Sequence, residues 1–366
     1  MPVRRPLLPK LLLATFTTLL ASGIAWWLWS LRAQRSTVEL TSSEQDGPAW
    51  NGDSAYVVDA AAGFRPRRSS VSRTPMLALD DSDVQMVEKH RDRNALLRAT
   101  DLPEKSPLPR VLVLGDSHVD GVVSTADNFT SRLEAASATT AHPYLVLNAG
   151  CGLYSLWQHV LRARDLLGRF HPQVVVVVVF LGNDFLDLDN PTVPHLDDAL
   201  AERPGGKLDR PETTSARQSE LALRDPNGQL FWQGLNQALY LLREPARRDV
   251  LVQKSRHAVE VMERAAEAAD AEVVWVLLPS FDLVFPDHTA GLGKVTAEVV
   301  QSGVQRAMRD AFAGVLTARG ARVLDMEPLF AKDGSLALYA KDFHIYRRAH
   351  RLLADALAPL LAALLP

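Results

Sequence analysis

Ser117, His344, Asp342 and Asn183 are the residues of this chain whose types and settings could carry a reaction. A serine hydroxyl is a poor nucleophile near neutrality unless a base within reach takes its proton. An imidazole, with an ordinary pKa of about 6.5, is such a base. His344 stands two residues after Asp342 in the run Asp342-Phe343-His344. A carboxylate that near can hold the ring in one tautomer and stabilise its cation. Asn183, in Gly182-Asn183-Asp184, can offer amide hydrogens to a developing oxyanion. Together these groups describe acyl transfer through a covalent serine ester. Ser117 alone would fit a helix N-cap equally well; its company favours the nucleophile.

Such groups must be delivered to one rim. Residues 111–114 are all apolar and read as a buried strand running into Gly115-Asp116-Ser117. A glycine there lets the backbone turn sharply, which leaves Ser117 at the strand's carboxyl end. In open α/β sheets that end faces the ligand crevice. Further strands are expected at 144–147, 174–181, 273–278 and 322–324, and helices at 129–136, 156–170, 230–242, 252–269 and 295–318. A closing helix after His344 carries Leu352, Leu353, Ala356 and Leu357 on one face. The unbroken hydrophobicity of 174–181 implies burial on both sheet faces. Alternating strands and helices predict an α/β fold with a parallel sheet of about five strands, covered on both sides.

At these blocks the chain resembles the SGNH (GDSL) serine hydrolases over residues 106–366. Their strand-then-GDS block matches Gly115–Ser117, their GND block matches Gly182–Asp184, and their closing D-x-H block matches Asp342 and His344. The resemblance implies a three-layer α/β/α, flavodoxin-like fold and a serine esterase or acylhydrolase. It implies an oxyanion hole built from Asn183, the Ser117 backbone N–H and a glycine after the second strand, for which Gly152 is the choice. The chain departs from the pattern at Leu153, where a second glycine would fall, at Tyr346 for Asn and at Ala349 for Gly. His118 and His350 are rival bases.

Other features carry less chemistry. Cys151 is the single cysteine and is expected to be a buried, inert thiol. Asp184, Asp187 and Asp189 follow no calcium-loop pattern and are expected to form a solvated acidic loop. Gly52-Asp53-Ser54 repeats the nucleophile tripeptide without an apolar strand before it. With no H-E-x-x-H, paired C-x-x-C, G-x-S-x-G or phosphate loop, no metal or organic cofactor is expected.

The 366 residues carry a formal net charge of -3, which gives no reason to expect a nucleic-acid partner. Residues 11–31 contain no charge and span roughly 30 Å as a helix, one bilayer core. Arg4, Arg5 and Lys10 precede them, and Trp26, Trp27 and Trp29 supply an aromatic anchor. The expected organisation is a membrane anchor at 1–35, a spacer at 36–105 with one surface helix at 81–100, and a hydrolase domain at 106–366. Residues 186–227 gather proline, glycine and charge, and are expected to form a loop insertion over the crevice or a disordered loop within that domain. These features predict a single-pass protein with its catalytic domain outside the cytoplasm. It would act on an acyl or acetyl ester of a small molecule, an envelope glycan or a lipid. The alternatives are an O-acyltransferase of envelope polysaccharide, or a non-catalytic glycan-binding or assembly module on the same fold.

Overall fold

The computed structural model describes residues 37–40, 46–50, 53–103, 105–205 and 231–365. The expected span at 11–31 lies outside them. No helix among the described residues is long and apolar enough to cross a membrane.

Among the described residues there are thirteen strands, numbered here in chain order. Five of them build the central parallel sheet: β7 (Arg110–Leu114), β8 (Leu145–Asn148), β9 (Val174–Phe180), β12 (Glu272–Leu278) and β13 (Arg322–Asp325). Their spatial order is β13-β12-β9-β7-β8. The chain therefore reverses direction across the sheet at β7, and the switch point where crevices open in doubly wound sheets lies at its carboxyl end.

β9 shows why the sheet holds together. Val175, Val177 and Val179 pack into the core beneath helices Leu156–Phe170, Arg247–Glu267 and Val304–Ala318. Val174, Val176 and Val178 face the opposite core, with helices Phe129–Ser137 and Arg347–Leu364. Every residue of β9 is fully buried, and each such valine contributes about 1.5–3 kcal/mol of transfer free energy. The expected parallel sheet of five strands is present. Expected elements differ mainly at their ends, except that 295–318 breaks at Gly303 into two helices, Lys294–Ser302 and Val304–Ala318.

The region before β7 corrects the sequence expectation. It contains two antiparallel sheets: one of β1 (Thr37–Leu40), β5 (Ser70–Leu77) and β6 (Val84–Arg91), the other of β2 (Ala49–Trp50), β3 (Asp53–Asp59) and β4 (Gly63–Pro66). The surface helix expected at 81–100 is β6 instead. Val84 and Met86 are exposed while Val87 and Arg91 are buried, a period of two that charged neighbours hid in the sequence. These sheets dock on the α/β unit. Phe64 lies in the same core as Trp157 and Val177, and the Tyr154 hydroxyl donates to the Phe64 carbonyl at 2.5 Å.

Part of the expected insertion is ordered as well. Leu186–Asp189 forms a short 3-10 helix, and β10 (His195–Leu196) pairs with β11 (Glu202–Arg203). Its remainder, 206–227, lies outside the described residues.

Candidate active site

Ser117 opens the short helix Ser117–Asp120 immediately beyond β7. Asp116 caps that helix by accepting the His118 N–H at 2.8 Å, which satisfies one of its unpaired donors. The Ser117 Oγ is thereby left at the switch point of the sheet, only partly covered.

Asp342 and His344 arrive on a tight loop. Phe343 between them takes the left-handed backbone (φ 63°), which costs a bulky residue roughly 1–2 kcal/mol. Its ring is anchored edge-on against Phe281, with centroids 5.0 Å apart. The Ala340 N–H donates to the His344 carbonyl at 2.8 Å and the Phe343 N–H to the Ala340 carbonyl at 2.9 Å, closing the turn. The docked β region holds the loop from outside, because the Lys341 N–H donates to the Leu77 carbonyl at 2.9 Å.

The three side chains meet. The Ser117 hydroxyl donates to His344 Nε2 at 2.8 Å, and His344 Nδ1–H donates to Asp342 Oδ2 at 3.0 Å. A carboxylate is only an acceptor, so Asp342 fixes the ring proton on Nδ1 and leaves Nε2 free for the hydroxyl. Burial pulls the His344 pKa down, but the Asp342 charge and hydrogen bond outweigh it and hold the imidazole above its ordinary value. Burial likewise pushes Asp342 up, and His344 more than offsets this, leaving the carboxyl below its usual range.

The rival histidines have other partners. Ile345 N–H donates to His118 Nδ1 at 3.2 Å, and His118 Nε2 faces Gln233 Oε1 at 3.3 Å. Burial holds His118 well below 6.5 and hence neutral. His350 Nδ1 accepts the Phe129 N–H at 3.2 Å, and burial pushes its pKa down to about 3. Both tie the closing segment to the nucleophile region.

Gly152 lies beside Ser117. A Cβ built on it would sit 3.7 Å from Ser117 Cβ and 2.6 Å from the Tyr56 hydroxyl, so a side chain has no room there. Leu153, where the related pattern has glycine, takes φ 67° and is 42% exposed. The loop therefore keeps a left-handed residue at this step without a glycine. Tyr346 and Ala349 are buried. Tyr346 N–H donates to the Leu338 carbonyl at 2.7 Å, anchoring the loop that carries His344. Asn183 stands on the turn after β9, the strand next to β7. Its carboxamide oxygen is buried with no hydrogen-bond partner among the described residues.

Cys151 is buried and unpaired, and burial pushes its thiol pKa up. The expected solvated acidic loop is corrected. Asp184 is fully buried, accepts the Phe180 N–H at 2.8 Å and is driven well above the carboxylate range by burial. Asp189 binds Lys254 at 2.6 Å and Arg247 at 2.7 Å. Beneath the nucleophile, burial and then the Asp184 charge push Asp116 up to about 7.

Sequence reasoning missed two neighbours of the site. The Gln233 amide nitrogen lies 3.3 Å from His344 Nε2 and its oxygen faces His118. An isolated glutamine behind an insertion gives no sequence signal. Tyr56 reaches Gly152 from β3, in a segment whose Tyr56-Val57-Val58 run is a strand signal obscured by the polar residues around it.

No protein-family profile matches the chain, and no curated protein matches it in sequence. Solved structures do. The chain is similar to TesA at 16% identity and a TM-score of 0.39, covering 70% of this chain and 99% of that one. It is similar to the acetyl xylan esterase AlAXEase at 12% identity and a TM-score of 0.43, covering 69% and 99%. A lipase/acylhydrolase from Enterococcus faecalis gives 13% identity, a TM-score of 0.40, and coverage of 71% and 98%.

Proposed function

We propose that this chain is a serine ester hydrolase of the SGNH type, working through an acyl-enzyme. The observation that carries this is the unbroken relay from Ser117 Oγ to His344 Nε2 (2.8 Å) and from His344 Nδ1 to Asp342 (3.0 Å), at the switch point of a parallel sheet. Ser117 Oγ bonds to the ester carbonyl carbon as its proton passes to His344 Nε2, and the carbonyl electron pair moves onto oxygen. The N–H groups of Ser117 and Gly152 and the amide of Asn183 hold that oxyanion; each such donor is worth about 3 kcal/mol. The tetrahedral adduct collapses, the C–O bond to the alcohol breaks, and the alcohol leaves with the proton from His344. Water, deprotonated by the same imidazole, then attacks the acyl carbon; the bond from that carbon to Ser117 Oγ breaks, the acid leaves, and His344 returns the proton to Oγ.

A fluorophosphonate probe with p-nitrophenyl acetate hydrolysis tests the assignment. The wild type is expected to label and to hydrolyse, and Ser117→Ala to lose both. Equal labelling of the two proteins would remove Ser117 as nucleophile and leave a binding or assembly module.

The substrate proposed is an acyl or acetyl ester of a cell-envelope glycan or lipid, reached by a domain held outside the cytoplasm through residues 11–31 as an uncleaved anchor. The uncharged length of that stretch and its tryptophans support the anchor. Extraction of the full chain from membranes by detergent but not by alkaline carbonate is the expected result. The partial exposure of Ser117 and His344 favours water over a sugar hydroxyl as the final acceptor.

A further inference from the structure

Of the oxyanion donors proposed above, the two backbone N–H groups come from two separate segments. The Ser117 N–H belongs to the turn after β7, and the Gly152 N–H to the loop after β8. Catalysis needs both to converge on one point, so the distance between the segments matters as much as either alone.

Backbone contact sets part of that distance. The Cys151 N–H donates to the Gly115 carbonyl at 3.1 Å. Gly150 packs directly on the helix that Ser117 opens, since a Cβ there would lie 2.6 Å from the Asp120 nitrogen and 2.8 Å from the Val119 carbonyl carbon.

A third element completes the junction from outside the α/β unit. Arg91, at the end of β6, is nearly buried. Its Nη2 donates to Asp120 Oδ1 at the end of the nucleophile helix, and its Nη1 donates to the Gly150 carbonyl at 3.3 Å and the Ala95 carbonyl at 3.4 Å. Lys89, on the same strand, holds the other Asp120 oxygen at 2.9 Å. Burial pushes the Asp120 carboxyl up, and Arg91 with Lys89 outweighs this and keeps it ionised. The planar guanidinium bonds to both segments at once, from the outer side, as the Asn148 carboxamide does from within the sheet by donating to the Val119 carbonyl at 3.1 Å and accepting the Gly150 N–H at 2.9 Å. A lysine ammonium is a point donor on a flexible stem and does not reproduce that fork.

We propose that Arg91 is a positioning residue for the reaction, fixing the nucleophile helix against the oxyanion loop by bonding Asp120 and Gly150 together. The inference rests on the esterase assignment and assigns the docked β region a part in turnover, although Arg91 touches no reacting atom.

The test uses the full chain with p-nitrophenyl acetate, a phenylboronic acid as a tetrahedral-oxyanion mimic, and thermal unfolding. Arg91→Lys keeps a positive charge on Asp120 but loses the second arm. Its melting temperature should stay within a few degrees of wild type, while kcat falls about 10- to 100-fold at nearly constant KM. Boronate affinity should weaken by the same factor as kcat/KM. Arg91→Met should lower both kcat and the melting temperature, because it leaves Asp120 under-compensated. An Arg91→Lys protein with wild-type kcat and boronate affinity, or with a loss confined to KM, would overturn the positioning role. A wild type that neither hydrolyses nor labels would overturn the esterase assignment itself, and the positioning role with it.

Discussion

The His344–Asp342 and His159–Asp184 pairs contain the same two groups in opposite conditions. His344 bonds its carboxylate at 3.0 Å and remains partly open to solvent. His159 stands 3.8 Å from Asp184, both are wholly buried, and neither ring nitrogen of His159 has a hydrogen-bond partner among the described residues. Burial brings the His159 pKa down to about 4 and drives that of Asp184 well above the ordinary carboxylate range, so it disfavours the charged form of both. At His344 burial acts in the same direction, and the bonded carboxylate overcomes it. A carboxylate makes an imidazole basic only where a hydrogen bond offsets the desolvation of both charges.

The largest break in that comparison comes from exchanging the histidines for residues without a base. His344→Asn should lower kcat on p-nitrophenyl acetate on the order of 10⁴-fold, whereas His159→Leu should stay within about threefold. A comparable loss in both would mean that the buried pair takes part in the chemistry. His159→Leu also has a signature in stability. Between pH 4 and 6.5 the unfolded His159 binds a proton that the folded one refuses. This part of the stability is thus present above about pH 6.5 and lost as pH falls towards 4. The urea midpoint of the variant should therefore fall less steeply over that window, and an unchanged slope would refute the depressed pKa.

Asn183→Ala comes next, at about 100-fold in kcat with little change in KM. A loss confined to KM would make Asn183 a binding group. The smallest effect is a displacement in pH. With His344 raised by Asp342, kcat/KM should fall on acidification with a midpoint above 6.5. In Asp342→Asn that midpoint should move to lower pH, and a midpoint that stays in place would detach the two residues.

The order of these blocks along the chain was legible because each sits where a strong local pattern ends. Six consecutive valines can only be an interior strand, and Gly182-Asn183-Asp184 follows it. Asp342 and His344 were readable because they stand two residues apart in one short loop, although the contacts that hold that loop come from elsewhere in the fold. The docked β region was not. In β6, Val84 and Met86 are exposed and are followed by Glu88, Lys89 and Arg91, so its alternation carries no inward apolar stripe. Arg91 itself looked like one surface charge among many, and only tertiary pairing with Asp120 reveals its place. Asp184 misled for the opposite reason: three aspartates in six residues read as solvated, yet the turn after β9 carries Asp184 into the interior.

Ser117 and His344 are 227 positions apart along the chain. Closing so long a loop costs little more entropy than closing a shorter one, because the penalty grows only logarithmically. It nevertheless requires that β7, β9, β12 and β13 first assemble in register, and such non-local pairing is slow. A nascent chain emerging from the ribosome thus carries its nucleophile long before its base. The proposed relay therefore stays incomplete until residues 342–344 have been added, more than two hundred positions after Ser117.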